Sequence, residues 1–346
     1  MERLCCCLCS APLVKTLTLE KFPVTFSPPS SDNDIFKDLA YGYCPDCGSV
    51  QLMTLIPQDL LYSEPHNGTA HSTTWKQHHT SFLDFISVPD NSRIIEVGGY
   101  TPQLEKTNEY YVLNINSHES NSVNFIQGNC EEFNFKGFDV VIMSHVFEHL
   151  YEPVKFIKRC SEGGVSHVII SHPVMNENSK ILPIHTEHTF FADFLDVKAV
   201  FENNNFRLEK TENFKNHSIF FHFVRGEKCI GTSQNKRPGR EVSIFNNFKK
   251  RMEIISSIDV PDNTYIIPGG HFGQVVYYYL KNKNIIGFLD NDINKHGKRV
   301  YGTHLTVHPI PPELSNVTLI VYAGLYSSEI IDSLSCTNCT ILKIDV

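Results

Sequence analysis

Three observations predict an α/β chain of three units. Two C-x-x-C pairs frame the amino-terminal segment, short apolar runs alternate with longer amphipathic stretches from Arg93 onward, and a strand, glycine turn and helix pattern returns near Asn263. The first predicts a small metal-bound module. The second predicts a central unit with a parallel sheet covered on both faces, and the third a further nucleotide-type α/β unit. We place these units at 1–82, including a connecting helix, at 83–230 and at 231–346.

In the first unit, Cys6 and Cys9 form one C-x-x-C and Cys44 and Cys47 form another. Thiolates at that doubled spacing predict a closed tetrahedral site, and zinc is the expected metal. The intervening stretch, with SPPSSDND in its middle, has too few apolar residues for a core, so metal binding would supply the folding free energy. With all four positions filled by protein the site is structural. Cys5 and Cys7 blur the register: Cys6 with Cys9 gives the two-residue gap, with Cys5 as the alternative ligand. Four free thiols in a loop-rich module are the competing account. The eleven cysteines are clumped, and MERLCCCLCS lacks the order of a secretory signal, which predicts a reducing, cytoplasmic setting.

From Ser72, the residues Trp75, His79, Phe82, Phe85 and Ile86 recur at helical spacings and predict the connecting helix. The polar cluster from Tyr62 to Thr69 reads as a loop, with His66 and Asn67 as candidate binding residues. A net charge of −8 gives no electrostatic footprint for nucleic acid, and no apolar run reaches the roughly 18 residues of a membrane span.

The central runs RIIEVGGY, YYVLNI, VNFIQG, FDVVIMSHV and SHVIISHP read as strands, each followed by small or polar residues. Ligands of open α/β sheets sit at such strand ends. Gly98 and Gly99 allow close backbone approach, and Glu96 is placed to orient their loop. SHVFEHLYEP sets His145, Glu148 and His149 at a strand mouth, and ILPIHTEHTFF crowds His185, Glu187 and His188. That second cluster lacks a strong metal-ligand spacing, so a general base is expected, since a carboxylate can fix a histidine tautomer and raise its basicity.

Toward the carboxyl end, GTSQNKRPGREVS reads as a linker. Beyond it Gly269, Gly270 and Gly273 follow a strand, either to hold a phosphate at a helix start or to permit tight strand-to-helix packing. CTNC at 336–339 reads as incidental thiols.

IIEVGG followed by FDVVIMSHVFEHLYEP resembles motif I and the fourth-strand motif of class I methyltransferases that use S-adenosylmethionine. The chain differs where the family has a further glycine, here Thr101 and Pro102, and where it has an acidic ribose ligand, here Asn114 or Asn116. The order of all the motifs, with NHS at 216–218 and IPGGHFGQ, FLDND and KHGKRVYGT, resembles the three-domain sugar C-methyltransferases that act on nucleotide-linked 4-keto deoxysugars. That resemblance implies a zinc-bearing amino-terminal domain, a Rossmann-like cofactor domain and a second Rossmann-like domain for the nucleotide sugar. It implies donor binding by Glu96, Gly98, Gly99, Asn114, Ser144 and His145. His188 is implied as the base that forms an enolate, helped by Glu187, His149, Tyr62 and His185, the last standing where the family has tyrosine. His66, Asn67, His217, Gly270, His271 and Lys295 are implied as substrate ligands. Sugar O-methylation, or a nucleotide-sugar binding protein with a degenerate donor site, are the alternatives.

Overall fold

The computed structural model describes residues 1–25, 34–62, 72–99, 109–115, 124–175, 186–226 and 239–344. His66, Asn67, Thr101, Pro102, Asn116 and His185 lie outside the described residues.

The chain opens with antiparallel strands β1 (Val14–Pro23), β2 (Phe36–Tyr43) and β3 (Val50–Leu52). After a short α1 (Gln58–Leu61) comes α2 (Thr73–Phe85), whose start is capped by Ser72 Oγ accepting from the Trp75 N–H at 3.1 Å. Its buried line is His78, Phe82 and Phe85, spaced four and then three. The expected stripe through His79 is therefore corrected. His79 is exposed, because the i, i+4, i+7 line that contains both phenylalanines starts one residue earlier.

The central sheet is built from β4 (Arg93–Val97), β5 (Glu109–Asn114), β6 (Asn124–Gln127) and β7 (Val140–Ser144), then α3 (Pro153–Gly163) and β8 (His167–Pro173). Strand β9 (Phe190–Phe191) pairs with β3, and α4 (Phe194–Glu202) leads to the hairpin β10 (Phe206–Phe214) and β11 (Ser218–Arg225). The order is β10-β11-β8-β7-β4-β5-β6. Strands β8, β7, β4, β5 and β6 are parallel, as their unbroken apolar runs predict, while β11 is antiparallel to both neighbours. Lys215 and Asn216, both at positive φ, make the tight turn that reverses the chain there. From β4 the chain moves to one side through β5 and β6, then crosses back to β7 on the other. This reversal opens a crevice beyond the carboxyl ends of β4 and β7.

Helix α5 (Arg240–Ser256) begins inside the stretch read as a linker. Arg240 ties that start to α4, through ion pairs with Asp196 and with Asp193 at 3.5 Å. A second parallel sheet follows, from β12 (Thr264–Ile267), α6 (His271–Leu280), β13 (Ile285–Asp290), β14 (Val307–Pro309), β16 (Thr318–Val321), α7 (Ser327–Asp332) and β18 (Thr340–Lys343), ordered β14-β13-β12-β16-β18. The short β15 (Leu314–Ser315) and β17 (Cys336–Thr337) pair with each other. Leu39, Tyr41 and Val50 share one apolar core with Phe245, Phe248 and Val276, so the amino-terminal sheet packs on the carboxyl-terminal unit. No helix among the described residues is long and apolar enough to cross a membrane.

Gly273 answers one of the two roles offered for the glycine turn. A Cβ there would overlap the Pro268 carbonyl and come within 3.1 Å of Phe288 and 3.2 Å of Ile266. Its need is tight packing of α6 on β12. Gly273→Ala should therefore cost about 1–3 kcal/mol by overpacking, checked by urea unfolding; an unchanged midpoint would refute the clash.

Candidate functional site

The four expected thiols meet. Cys6 and Cys47 sulfurs lie 3.7 Å apart, Cys9 and Cys44 3.4 Å, and all four fall within 4.8 Å of one another. A zinc–sulfur bond of about 2.3 Å in a tetrahedron gives sulfur–sulfur edges of about 3.8 Å, so the spacing fits zinc and is too long for disulfides. Both knuckles fold alike. Ser10 N–H donates to the Cys6 carbonyl and Gly48 N–H to the Cys44 carbonyl, each at 2.8 Å, with Ser10 and Gly48 both at positive φ. That repeat fixes the register on Cys6, which is buried, whereas Cys5 is exposed. Gln51 Nε2 donates to Cys6 Sγ at 2.8 Å and the Leu8 N–H at 3.4 Å. Hydrogen bonds from Cys47 and Cys9 push the Cys6 thiol down, and the same bonds push the Cys9 and Cys47 thiols up.

At the crevice, the two family-like segments touch. Gly98, at φ +75°, leaves no room for a side chain because Val146 Cγ2 would stand 2.8 Å from its Cβ. The Glu96 carboxylate occupies the space beside Gly99 and accepts from the Tyr110 hydroxyl. Asn114 closes β5 and Ser144 closes β7, its buried Oγ without a hydrogen-bond partner among the described residues. A buried orphan hydroxyl beside a glycine-bared loop fits a polar ligand at this point. His145 follows at φ 52°, a conformation that a side chain rarely takes, and turns the chain into the single 3₁₀ turn Phe147–His149.

That turn delivers His149 to a buried ionisable cluster. His149 Nδ1 lies 3.3 Å from the Tyr62 hydroxyl and 3.7 Å from Glu187, its Nε2 lies 3.9 Å from Glu148, and its ring centre is 5.1 Å from that of His188. Burial holds His188 well below the usual histidine range, reinforced by the positive charge that His149, then His145 and His271, would carry. The imidazole is thus neutral near pH 7. Burial, then the Glu148 carboxylate, pushes Glu187 up to about 8. Burial, then Glu187, also raises the Tyr62 phenol well above its usual value and keeps it a donor.

The segment carrying Glu187 and His188 is clamped from the amino-terminal module. Arg3 is buried, donating to the Thr189 carbonyl at 2.5 Å and the Tyr151 carbonyl at 2.8 Å, while Leu52 N–H donates to the same Thr189 carbonyl at 3.0 Å. Sequence reading missed Arg3 because a lone arginine carries no spacing signal. His217 is placed apart from the His149 cluster, with His78 and His145, and bonds Ser218 and Tyr326. At the start of α6, Lys295 Nζ lies 3.7 Å from where a Cβ on Gly270 would sit and pairs with Asp290 at 2.9 Å. His271 is the first residue of that helix.

Glu187 carries a pH prediction. Its folded value near 8 exceeds the ordinary 4.5, so the folded state keeps a proton that the unfolded chain releases between those limits. Its stabilising contribution is complete below pH 4.5 and is lost at about 1.4 kcal/mol per pH unit as pH rises through 8. Glu187→Gln should remove that slope. Urea unfolding of both proteins at intervals across this window measures it, and parallel stability curves would show that the carboxyl is not held protonated.

Residues 98–162 match the family described as "Methyltransferase domain". Among curated proteins, none matches the chain. Solved structures similar to it include an S-adenosylmethionine-dependent methyltransferase from Aquifex aeolicus, at 13% identity over 42% of this chain and 89% of that one, TM-score 0.36. A magnesium protoporphyrin IX methyltransferase from Synechocystis PCC 6803 aligns at 13% identity over 48% and 91%, TM-score 0.37. A 1,6-didemethyltoxoflavin-N1-methyltransferase from Burkholderia thailandensis aligns at 9% over 55% and 96%, TM-score 0.42. The family match lies within the central unit, running from the Gly98 loop to α3.

Proposed function

We propose that the chain methylates a nucleotide-linked sugar at the carbon beside a 4-keto group. The observation that carries this reading is the buried His188 imidazole, grouped with His149, Glu187, Glu148 and Tyr62 just past the strand end where Val146 meets Gly98. S-adenosylmethionine, held by residues around Gly98, Gly99, Asn114 and Ser144, would supply an electrophilic methyl group. His188 takes the proton from the sugar carbon, and the electron pair passes into an enolate. Tyr62 remains protonated at working pH and, with His149, is suited to donate to the enolate oxygen. Burial lowers the proton affinity of His188, so stabilisation of the enolate by the donor pair has to supply the driving force.

The nucleotide is assigned to the start of α6, where the bare Gly270 backbone, His271 and Lys295 come together. The test incubates the protein with S-adenosylmethionine and either a 4-keto or a 4-hydroxy nucleotide sugar, followed by product mass and NMR. A gain of one methyl on carbon, with the ketone required, is expected. Methyl on oxygen would convert the reading to O-methylation, and no heat of donor binding up to millimolar concentration would favour a binding protein.

A further inference from the structure

Three histidines from separate elements, His78 of α2, His145 after β7 and His217 before β11, each bring a ring nitrogen within 4.8 Å of the others. His78 and His217 are buried, and His145 largely so. We propose that His78, His145 and His217 form a second metal site, for a divalent transition ion such as zinc or cobalt, separate from the four-cysteine site. This does not rest on the sugar reading above.

The outer contacts say which nitrogens face the ion. Ser171 Oγ holds His78 Nε2 at 2.8 Å, and His78 Nδ1 is buried without a hydrogen-bond partner. The Glu148 carboxylate stands 3.4 Å from His145 Nδ1, leaving His145 Nε2. Tyr326 Oη holds His217 Nε2 at 2.6 Å, leaving His217 Nδ1. Both of these nitrogens are hydrogen-bonded to Ser218 Oγ, at 2.8 and 2.6 Å, and an ion would take the place of that hydroxyl. Metal-bound imidazoles have this arrangement: one nitrogen for the ion and the other oriented by a hydroxyl or carboxylate. An orphan imidazole nitrogen in a fully buried residue costs free energy that an ion would offset.

The setting is also aromatic. Trp75 packs its ring 4.8 to 5.0 Å from all three imidazoles. Three protein ligands leave one position open, the pattern of sites that admit water or a substrate oxygen. Glu148 touches both His145 and His149, so the ion would be linked to the His149 cluster through one carboxylate.

Cobalt loading of the full chain tests this. Thiolate-bound cobalt shows intense near-ultraviolet charge transfer, whereas a tri-imidazole site adds only visible absorption. The expected result is about one equivalent of cobalt beyond that accounted for by charge transfer. His78→Ala and His217→Gln should each lose that equivalent while keeping the charge-transfer band and cooperative unfolding. Absence of cobalt outside the thiolate site in the unsubstituted protein would overturn the proposal, and so would folded variants that retain it.

Discussion

His188→Ala is expected to lower methyl transfer by about 10²- to 10⁴-fold, the usual contribution of a positioned base, with donor affinity and zinc content unchanged. The expectation follows from where the ring sits. Its burial keeps it unprotonated, its neighbour His149 is 5.1 Å away, and its own chain segment is fixed by Arg3 through the Thr189 carbonyl. Truncating a buried imidazole also leaves a hole, so a folding defect has to be separated from lost chemistry. Calorimetry with S-adenosylmethionine reports on the Gly98 loop, and added imidazole should restore part of the rate to the alanine variant by filling the hole with a free base. Full turnover in His188→Ala would remove the residue from the mechanism. Loss of donor binding together with turnover would make its role structural.

What could be read from the sequence followed local regularity. Unbroken runs such as FDVVIM report burial on both faces, so strands β4, β5, β7 and β8 were legible, and two C-x-x-C pairs report one cluster of four sulfurs because a knuckle fixes its own geometry. The antiparallel hairpin was not, since parallel pairing and the turn at Lys215 and Asn216 look alike as polar residues between apolar runs. The site divides in the same way. Glu187 and His188 lie side by side in sequence, and His145 and His149 lie four apart, so each pair was visible. Their partners come from distant elements: Tyr62 arrives from the amino-terminal module, and His78 from a helix whose buried line differs by one residue from the line expected. A spacing argument reaches along one element and stops. Arg3 clamps Thr189 across 186 positions, a tertiary contact with no local trace.

Cys44→Ser should abolish zinc retention and unfold the amino-terminal module, the largest stability effect expected anywhere in the chain. Structural zinc supplies on the order of 10 kcal/mol of folding free energy, comparable with the whole stability of a typical domain of about 5–15 kcal/mol. Cys44 is fully buried, and a serine hydroxyl does not ionise to replace its thiolate. The consequence should extend beyond the module. Gln51 donates from its side chain to Cys6 Sγ, while its backbone pairs with Phe190, two residues beyond His188. Arg3 and Leu52 hold Thr189 from the same module. Zinc loss therefore frees the strand that holds the proposed base, although the Gly98 loop belongs to a different sheet. Turnover should fall in proportion to zinc content while the central sheet keeps its donor affinity, measured by metal analysis, calorimetry and methyl transfer on the same samples. A Cys44→Ser protein with full zinc content and an unchanged melting temperature would rule out the four-thiolate site, and with it the coupling from the knuckles to His188.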